Sequence, residues 1–184
     1  MANTAQMVAL AVAAAILAGP HVSTHAQEII LNLPAPSHVR SRSPSIASVI
    51  QQAAERSATF RRLVETINAS QSYVYVDEGE CRDRDERGCL VNVTVAGPYR
   101  FVFVHVATGK ADWDLMGSIG HELRHTVEVI DNPSVTSLPT MRSLYGWIGK
   151  HNFRNPNSYE TDAAVAAGIA VRDEVRAFIR RGKP

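Results

Sequence analysis

The sequence has almost no net charge, and this balance excludes some classes of partner. It contains 19 Lys and Arg residues against 18 Asp and Glu residues, which gives a formal net charge of +1. No global electrostatic field therefore recruits nucleic acid. No stretch interleaves basic and aromatic residues in the way that nucleic-acid grooves do. We expect no nucleic-acid partner.

Long hydrophobic runs are also scarce, and the single candidate lies near the N terminus. Residues 7–19 are apolar, but this run is shorter than the about 20 residues that cross a membrane, and Pro20 ends it. Residues 24–26, Thr-His-Ala, then offer the small-x-small pattern that signal peptidase requires. We predict a signal peptide over residues 1–26 and a secreted or periplasmic protein that is not membrane-bound after cleavage.

Cysteine is rare, since Cys81 and Cys89 are the two in the chain. The residues between them are charged and provide no apolar anchor. In an oxidising compartment this pair predicts a disulfide that closes the loop. Such a short loop contributes roughly 2 kcal/mol. A metal site with two cysteines is the alternative, but it lacks a nearby His or third Cys.

The hydrophobic periodicity predicts one α+β domain over residues 45–184, after an extended arm over residues 27–44. The turn signal Gly97-Pro98 predicts a tight hairpin, and the cysteine loop joins the preceding strands, so we expect a small, mainly antiparallel sheet. The predicted elements are an N-terminal helix from Pro44 to Asn68, strands 72–77, 90–96 and 99–106, a helix 115–130 capped by Asp114, a short helix near 140–148, and a C-terminal helix from Asn157 or Ser158 to about Arg180.

Residues 121–125, His-Glu-Leu-Arg-His, form the pattern HExxH within one predicted helix. Because residues four apart lie one turn above each other, His121 and His125 can present two imidazoles to one metal ion. Glu122 lies a quarter-turn away, where it can reach a water molecule beside that metal. The apolar stripe of this helix lies roughly opposite the histidines and comprises Leu115, Ile119, Leu123, Val127 and Ile130. The alternative is an ordinary amphipathic helix with two surface histidines.

A catalytic zinc ion needs a third protein ligand and one open position. Glu160 is the first candidate, because it projects onto the apolar stripe of the predicted C-terminal helix, where a carboxylate needs a partner. A capping box, with Asn157 as N-cap and Glu160 at N3, is the alternative explanation. Asp131, ten residues after the first histidine, is the second candidate. Glu128, one turn beyond the second histidine, is the third and could instead lie beside a ligand.

The HELRH motif at residues 121–125 and the downstream Glu160 resemble the gluzincin branch of the zincin metallopeptidases. The chain is also similar to small secreted bacterial proteins that carry a HExxH helix. The resemblance implies a zincin-like fold, a zinc cofactor, Glu122 as general base and hydrolysis of a peptide or protein substrate. It also implies that residues 99–106 form an edge strand that pairs with an extended peptide.

Other interpretations of the motif stay open at this point. The chain could be a non-catalytic zincin-fold module that binds a metal or a peptide. A di-iron carboxylate site would need a second Glu-x-x-His motif, which the sequence does not contain. The residue that stabilises an oxyanion has no motif, and His151, Tyr145 and Tyr159 are the candidates.

Overall fold

The structure is a computed structural model, which describes residues 36–82, 86–109, 111–152 and 155–182. The predicted signal peptide and the first part of the predicted arm lie outside these residues. Within them, no helix has the length and apolar character needed to cross a membrane.

The described residues form an α+β fold, as predicted. The helices are α1 (Pro44–Arg56), α2 (Ala58–Asn68), α3 (Asp112–Ile130), α4 (Leu138–Ile148) and α5 (Asp162–Arg181). The strands are β1 (Val39–Arg40), β2 (Ser72–Glu78), β3 (Gly88–Ala96), β4 (Tyr99–Val106), β5 (Lys150–Asn152) and β6 (Asn155–Glu160). Strand β1 lies within the predicted arm, so this end of the arm belongs to the folded domain.

The main sheet has the order β1-β2-β4-β3, and it is mixed rather than mainly antiparallel. Strands β1, β2 and β4 run parallel, and only β3 pairs antiparallel, with β4. The predicted hairpin between β3 and β4 is confirmed, and Gly97 provides the positive φ of 59° that its turn requires. The predicted neighbours β2 and β3 are separated by β4.

The edge position belongs to β3 and not to β4, so the expectation of an edge strand over residues 99–106 is wrong. Strand β4 is paired on both sides, and its Val102, Val104 and Val106 are fully buried. The parallel pairing of β4 with β2, which lies far away in the sequence, produces this arrangement. The alternation of apolar and polar residues within one strand does not indicate which strands lie beside it.

The predicted N-terminal helix is two helices, because the chain turns at Ser57. This residue adopts extended backbone angles, and its hydroxyl accepts a hydrogen bond from the Phe60 backbone N–H to cap α2. The same hydroxyl donates to Glu174 on α5 at 2.6 Å. The break therefore depends on a partner 117 residues away in the sequence.

Helix α3 begins at Asp112, so Asp114 is not its N-cap as predicted. Asp114 is buried in the first turn and accepts hydrogen bonds from Arg87 and Arg172. Two guanidinium groups thus compensate the burial of one carboxylate, which is unfavourable for an isolated charge.

Helices α3 and α5 pack closely because glycines lie at their contact. A Cβ atom on Gly168 would lie 3.1 Å from the Cβ of His121 and 3.2 Å from the carbonyl oxygen of Gly117. A Cβ atom on Gly120 would lie 2.8 Å from a methyl group of Val171. This close packing fixes the helix that carries HExxH.

The C-terminal helix starts at Asp162, later than predicted. Thr161 is its N-cap, since the Thr161 hydroxyl accepts a hydrogen bond from the backbone N–H of Ala164. The preceding residues form β6, which pairs with β5 in a second, two-stranded sheet. Glu160 is consequently the last residue of a strand and not part of a helix, which removes the capping-box explanation. The predicted short helix is confirmed as α4.

Candidate metal centre

Helix α3 presents the HExxH motif on the side away from its main apolar contacts. Ile119 and Leu123 are fully buried in the core, whereas His121 is only partly buried. Glu122 and His125 are buried polar residues. The predicted opposition between the histidines and the apolar stripe is therefore present in the folded chain.

The Glu160 carboxylate lies between the two imidazoles. Its Oε2 atom lies 2.9 Å from Nε2 of His121 and 3.8 Å from Nε2 of His125. One ligand atom from each of the three residues can be chosen so that all lie within 4.8 Å of one another. The side chains of His121, His125 and Glu160 could therefore hold one metal ion.

The Oε2 atom of Glu160 is buried, yet it forms no hydrogen bond with any described residue. The 2.9 Å approach to His121 is short enough for a hydrogen bond but is not aligned as one. A buried carboxylate oxygen without a donor is unfavourable. A cation shared with the two imidazoles satisfies this oxygen, so the donor set fits a metal.

The electrostatics of the cluster favour positive charge at the same place. Burial lowers the pKa of the His125 imidazole, but the neighbouring carboxylates Glu128 and Glu160 outweigh burial and raise it to about 9. Burial raises the pKa of the Glu160 carboxyl, but the imidazoles of His121 and His125 lower it to about 2. The carboxylates thus stabilise a proton here, and a metal cation meets the same field.

Glu128 contacts the Nδ1 side of the His125 ring and does not belong to the group of His121, His125 and Glu160. The carboxylate of Glu128 lies 2.8 Å from Nδ1 of His125 and accepts a hydrogen bond from Thr161 at 2.7 Å. Burial raises the pKa of Glu128, but the hydrogen bonds from His125 and Thr161 outweigh it and hold the pKa below its usual range. Glu128 therefore orients His125 and is not itself in the group that could hold a metal ion.

Asp131 is not brought to the cluster. It is the exposed C-cap residue of α3, and the group of potential ligands among the described residues does not include it. The next segment turns away through Asn132, and α4 follows. The spacing of ten residues after His121 therefore does not produce a third ligand in this fold.

A cavity of about 340 Å³ opens beside His125 and Glu160. Its lining includes the buried Glu122 together with His125, Glu160 and the start of β3 from Gly88 to Val91. Burial raises the pKa of the Glu122 carboxyl to about 7, and the imidazoles of His125 and His121 oppose this increase. Glu122, the carboxylate of the HExxH motif, thus lies on the same cavity as His125 and Glu160.

Gly88 makes room for Glu122. A Cβ atom at position 88 would lie 2.8 Å from both Cγ and Oε1 of Glu122, which is closer than real Cβ contacts. No motif in the sequence marks this residue. Its one signal is its place directly before Cys89 at the start of a strand, where glycine often marks a close approach of another group.

Two tyrosines border the cavity in different ways. Tyr145 on α4 is buried, and its hydroxyl donates a hydrogen bond to the backbone carbonyl of His125 at 2.8 Å. Burial raises the pKa of Tyr145 above its usual range, so this donor keeps its proton. Tyr159 lines the cavity and contacts the ring of His151, with ring centroids 4.6 Å apart. Because the Tyr145 hydroxyl already donates to the His125 carbonyl, it is not available to an oxyanion in this arrangement.

The predicted disulfide between Cys81 and Cys89 is confirmed, with the Cα atoms 5.9 Å apart. Because the two sulfur atoms are bonded to each other, they do not form the alternative metal site. Cys89 lines the cavity, and Arg87 forms an ion pair with Asp114 of α3. The ion pair holds the start of β3 against the HExxH helix, and the disulfide holds it to the segment that follows β2.

Thr161 has no role predicted from the sequence, and Tyr145 has a different one from the oxyanion role considered for it. Each makes a hydrogen bond that depends on tertiary structure, to Glu128 and to the His125 carbonyl respectively. Thr161 carried one local signal, because Thr is a favoured N-cap residue.

Comparison of this chain with models of protein families, with curated proteins and with solved structures found no match.

Proposed function

We propose that this protein is a zinc-dependent peptidase that uses Glu122 as a general base. The observation that carries the proposal is the position of Glu160 Oε2, a buried oxygen without a hydrogen-bond donor between Nε2 of His121 and Nε2 of His125. Two imidazoles and one carboxylate are a donor set that zinc adopts in catalytic sites, where three protein ligands leave one position open.

The surroundings of the ligands support a catalytic rather than a purely structural metal. Structural zinc sites are closed by four protein ligands. Here His125 and Glu160 border a cavity, and no fourth His, Cys, Asp or Glu among the described residues belongs to the group. The second ring nitrogen of His125 is held by Glu128, an arrangement typical of histidines that bind metals.

A bound zinc ion would act as a Lewis acid and lower the pKa of a water molecule. Glu122 then removes a proton from the attacking water at its carboxylate oxygen and later delivers that proton to the nitrogen of the leaving amine. The carboxylate is buried, faces the cavity and is positioned by Gly88. Tyr159 lies on the same cavity, where its hydroxyl can donate to the developing oxyanion.

The position of β3 supports an extended peptide as the substrate. Strand β3 is at the edge of the sheet, so its outer backbone groups are free to pair with another strand. Its first residues, from Gly88 to Val91, line the cavity beside Glu122. The chain bulges between Leu90 and Asn92, and bulges often redirect a strand next to a functional site.

The proposed location is the secreted or periplasmic space. The disulfide between Cys81 and Cys89 is of the kind that persists in oxidising compartments. The predicted signal peptide gives the same expectation. Detection of the mature N terminus by mass spectrometry tests this, and a chain that retains residues 1–26 contradicts it.

The variant Glu122→Gln tests the proposed chemistry. It retains the size and hydrogen-bonding capacity of the side chain but removes the base. We expect zinc binding to be retained and hydrolysis of a protein substrate such as casein to fall by roughly 10²- to 10⁴-fold. The conversion Glu65→Gln, on the exposed face of α2, is the matched control.

The rival function is a module that binds metal or peptide without cleaving it. If zinc-loaded wild-type protein binds peptides and does not cleave a broad peptide library, this rival replaces the peptidase. Cleavage of equal rate by the wild type and Glu122→Gln would leave peptidase activity possible but contradict the proposed base.

A further inference from the structure

One face of α4 forms a wall of the cavity. The residues on this face follow the helical spacing of three and four positions and are Leu138, Met141, Arg142 and Tyr145. The helix is fixed at both ends. A capping box between Ser137 and Thr140 holds its start, and the Tyr145 hydroxyl bonds to the carbonyl of His125 near its end. The backbone position of Arg142 is therefore well defined.

Arg142 is a charged residue on an otherwise apolar and aromatic wall. Its side chain is exposed, and among the described residues it has no ion pair or side-chain hydrogen bond. Other arginines near the site have partners. Arg87 and Arg172 both pair with Asp114, and Arg100 donates to the carbonyl oxygens of Val129 and Asn132. Arg142 thus brings an uncompensated positive charge to the cavity.

The remaining charges do not require Arg142 as a counterion. The carboxylates of Glu160 and Glu128 are placed to balance a divalent cation at the ligand cluster. On the wall formed by the disulfide loop, Arg82 and Glu86 carry opposite charges. Glu122 also lines the cavity, but no ion pair among the described residues joins it to Arg142. A ligand that fills this cavity therefore meets an unpaired guanidinium on the α4 wall, which an anionic group would complement.

We propose that Arg142 determines specificity by binding a carboxylate of the substrate close to the bond that is cleaved. This inference rests on the proposed peptidase function. Arg142 lies three residues before Tyr145, or about 4.5 Å along the helix axis. Tyr145 adjoins His125, with ring centroids 5.1 Å apart. Since an extended peptide advances about 3.3 Å per residue, these two separations place the carboxylate within about three residues of the reacting carbonyl.

The chemistry of arginine favours a carboxylate as its partner. The guanidinium group is planar and can donate two parallel hydrogen bonds to the two oxygens of one carboxylate. In a peptide, that carboxylate belongs either to an Asp or Glu side chain or to the C terminus. The first source makes the enzyme selective for acidic sequences, and the second makes it selective for chain ends.

Binding measurements separate these sources without depending on catalysis. The probes are three N-acetylated hexapeptides: alternating Ala-Gln with a C-terminal amide, alternating Ala-Glu with a C-terminal amide, and alternating Ala-Gln with a free C-terminal carboxylate. Their dissociation constants are measured by calorimetry on the zinc-loaded Glu122→Gln protein, which prevents cleavage. The same measurements are made after adding Arg142→Gln or the matched control Arg180→Gln. Arg180 is exposed near the end of α5, about 30 Å along that helix from Thr161.

We expect one carboxylate peptide, or both, to bind about fivefold more tightly than the neutral peptide. Arg142→Gln should remove this preference and leave the affinity for the neutral peptide unchanged, and Arg180→Gln should keep the preference. Preference for the acidic peptide or for the free C terminus identifies the source. Equal binding of all three peptides, or a preference that survives Arg142→Gln, would overturn the role of Arg142.

Cleavage of the same peptides by the wild-type protein keeps the two proposals separate. Equal binding of all three peptides together with cleavage refutes carboxylate recognition and leaves the peptidase standing. A preference that depends on Arg142, without cleavage of these peptides or of other substrates, supports carboxylate recognition and contradicts the peptidase. Failure of every peptide to bind refutes carboxylate recognition, and it contradicts the peptidase as well only if the wild-type protein does not hydrolyse casein.

Discussion

Nδ1 of His125 donates a hydrogen bond to the carboxylate of Glu128, 2.8 Å away. When the imidazole is neutral, this bond keeps the proton on Nδ1, so Nε2, which lies 3.8 Å from Oε2 of Glu160, is the nitrogen available to a metal. The other oxygen of Glu128 accepts a hydrogen bond from Thr161, the residue directly after Glu160 and the N-cap of α5. One buried carboxylate therefore connects the ligand on α3 to the ligand at the end of β6.

The variant Glu128→Gln tests this connection. The amide retains one acceptor but loses the charge that holds the His125 N–H, so we expect the zinc affinity to fall by about 10- to 100-fold. Titration against a chelator of known affinity measures the change. Glu65→Gln makes the same chemical change on an exposed surface and should have no effect. An unchanged zinc affinity in Glu128→Gln would show that Glu128 does not position the ligand.

Gly88 should be required for the position of Glu122 but not for metal binding. In Gly88→Ala the added methyl group would lie 2.8 Å from Cγ and Oε1 of Glu122, so the general base has to move. We expect hydrolysis to fall at least about tenfold while zinc stoichiometry stays the same, because a displacement near 1 Å strongly affects catalysis. In the control Gly182→Ala the new methyl meets no atom within 3.8 Å. Full activity in Gly88→Ala would contradict the placement of Glu122.

Glu174 should stabilise the fold at neutral pH and lose this effect in acid. Burial raises the pKa of Glu174, but hydrogen bonds from Ser57 and Thr59 outweigh it and lower the pKa below its usual range. Because the pKa of the folded state is the lower one, this stability is present above the unfolded value of about 4.3 and is lost as the pH falls through the folded value.

Denaturant unfolding of Glu174→Gln measures this contribution. We expect the variant to lose about 1 to 2 kcal/mol at pH 7, because Gln retains one acceptor but not the charge. The difference from the wild type should shrink below about pH 4. Asp173→Asn, the exposed neighbour on α5, is the control. A difference that is independent of pH would contradict the assigned role of the charge.

The local features of the fold could be predicted from the sequence. The period of apolar residues in α3 predicted both the helix and the orientation of its histidines. The turn at Gly97 and the disulfide between Cys81 and Cys89 were predicted from residue types that favour these structures. In each case the signal lies within a few residues of the feature that it determines.

Features that depend on distant partners could not be predicted. The break between α1 and α2 at Ser57 involves Glu174, and the parallel pairing of β2 with β4 is set by packing of the whole sheet. Glu160 was identified as a ligand candidate from a helix that does not extend to it, because Thr161 caps α5 one residue later. Glu160 does lie beside the two histidines, but it does so at the end of strand β6, which the helical spacing of the apolar residues did not indicate.

The metal content of the purified protein tests directly whether His121, His125 and Glu160 bind zinc. Elemental analysis is made of the wild type, of His121→Ala and of Asp131→Asn, each expressed with zinc and dialysed against metal-free buffer. We expect a zinc stoichiometry near one for the wild type and for Asp131→Asn, since Asp131 is exposed and is not in the group of potential ligands. For His121→Ala we expect a zinc stoichiometry near zero. A stoichiometry near zero in the wild type, or near one in folded His121→Ala, would contradict the proposed zinc site.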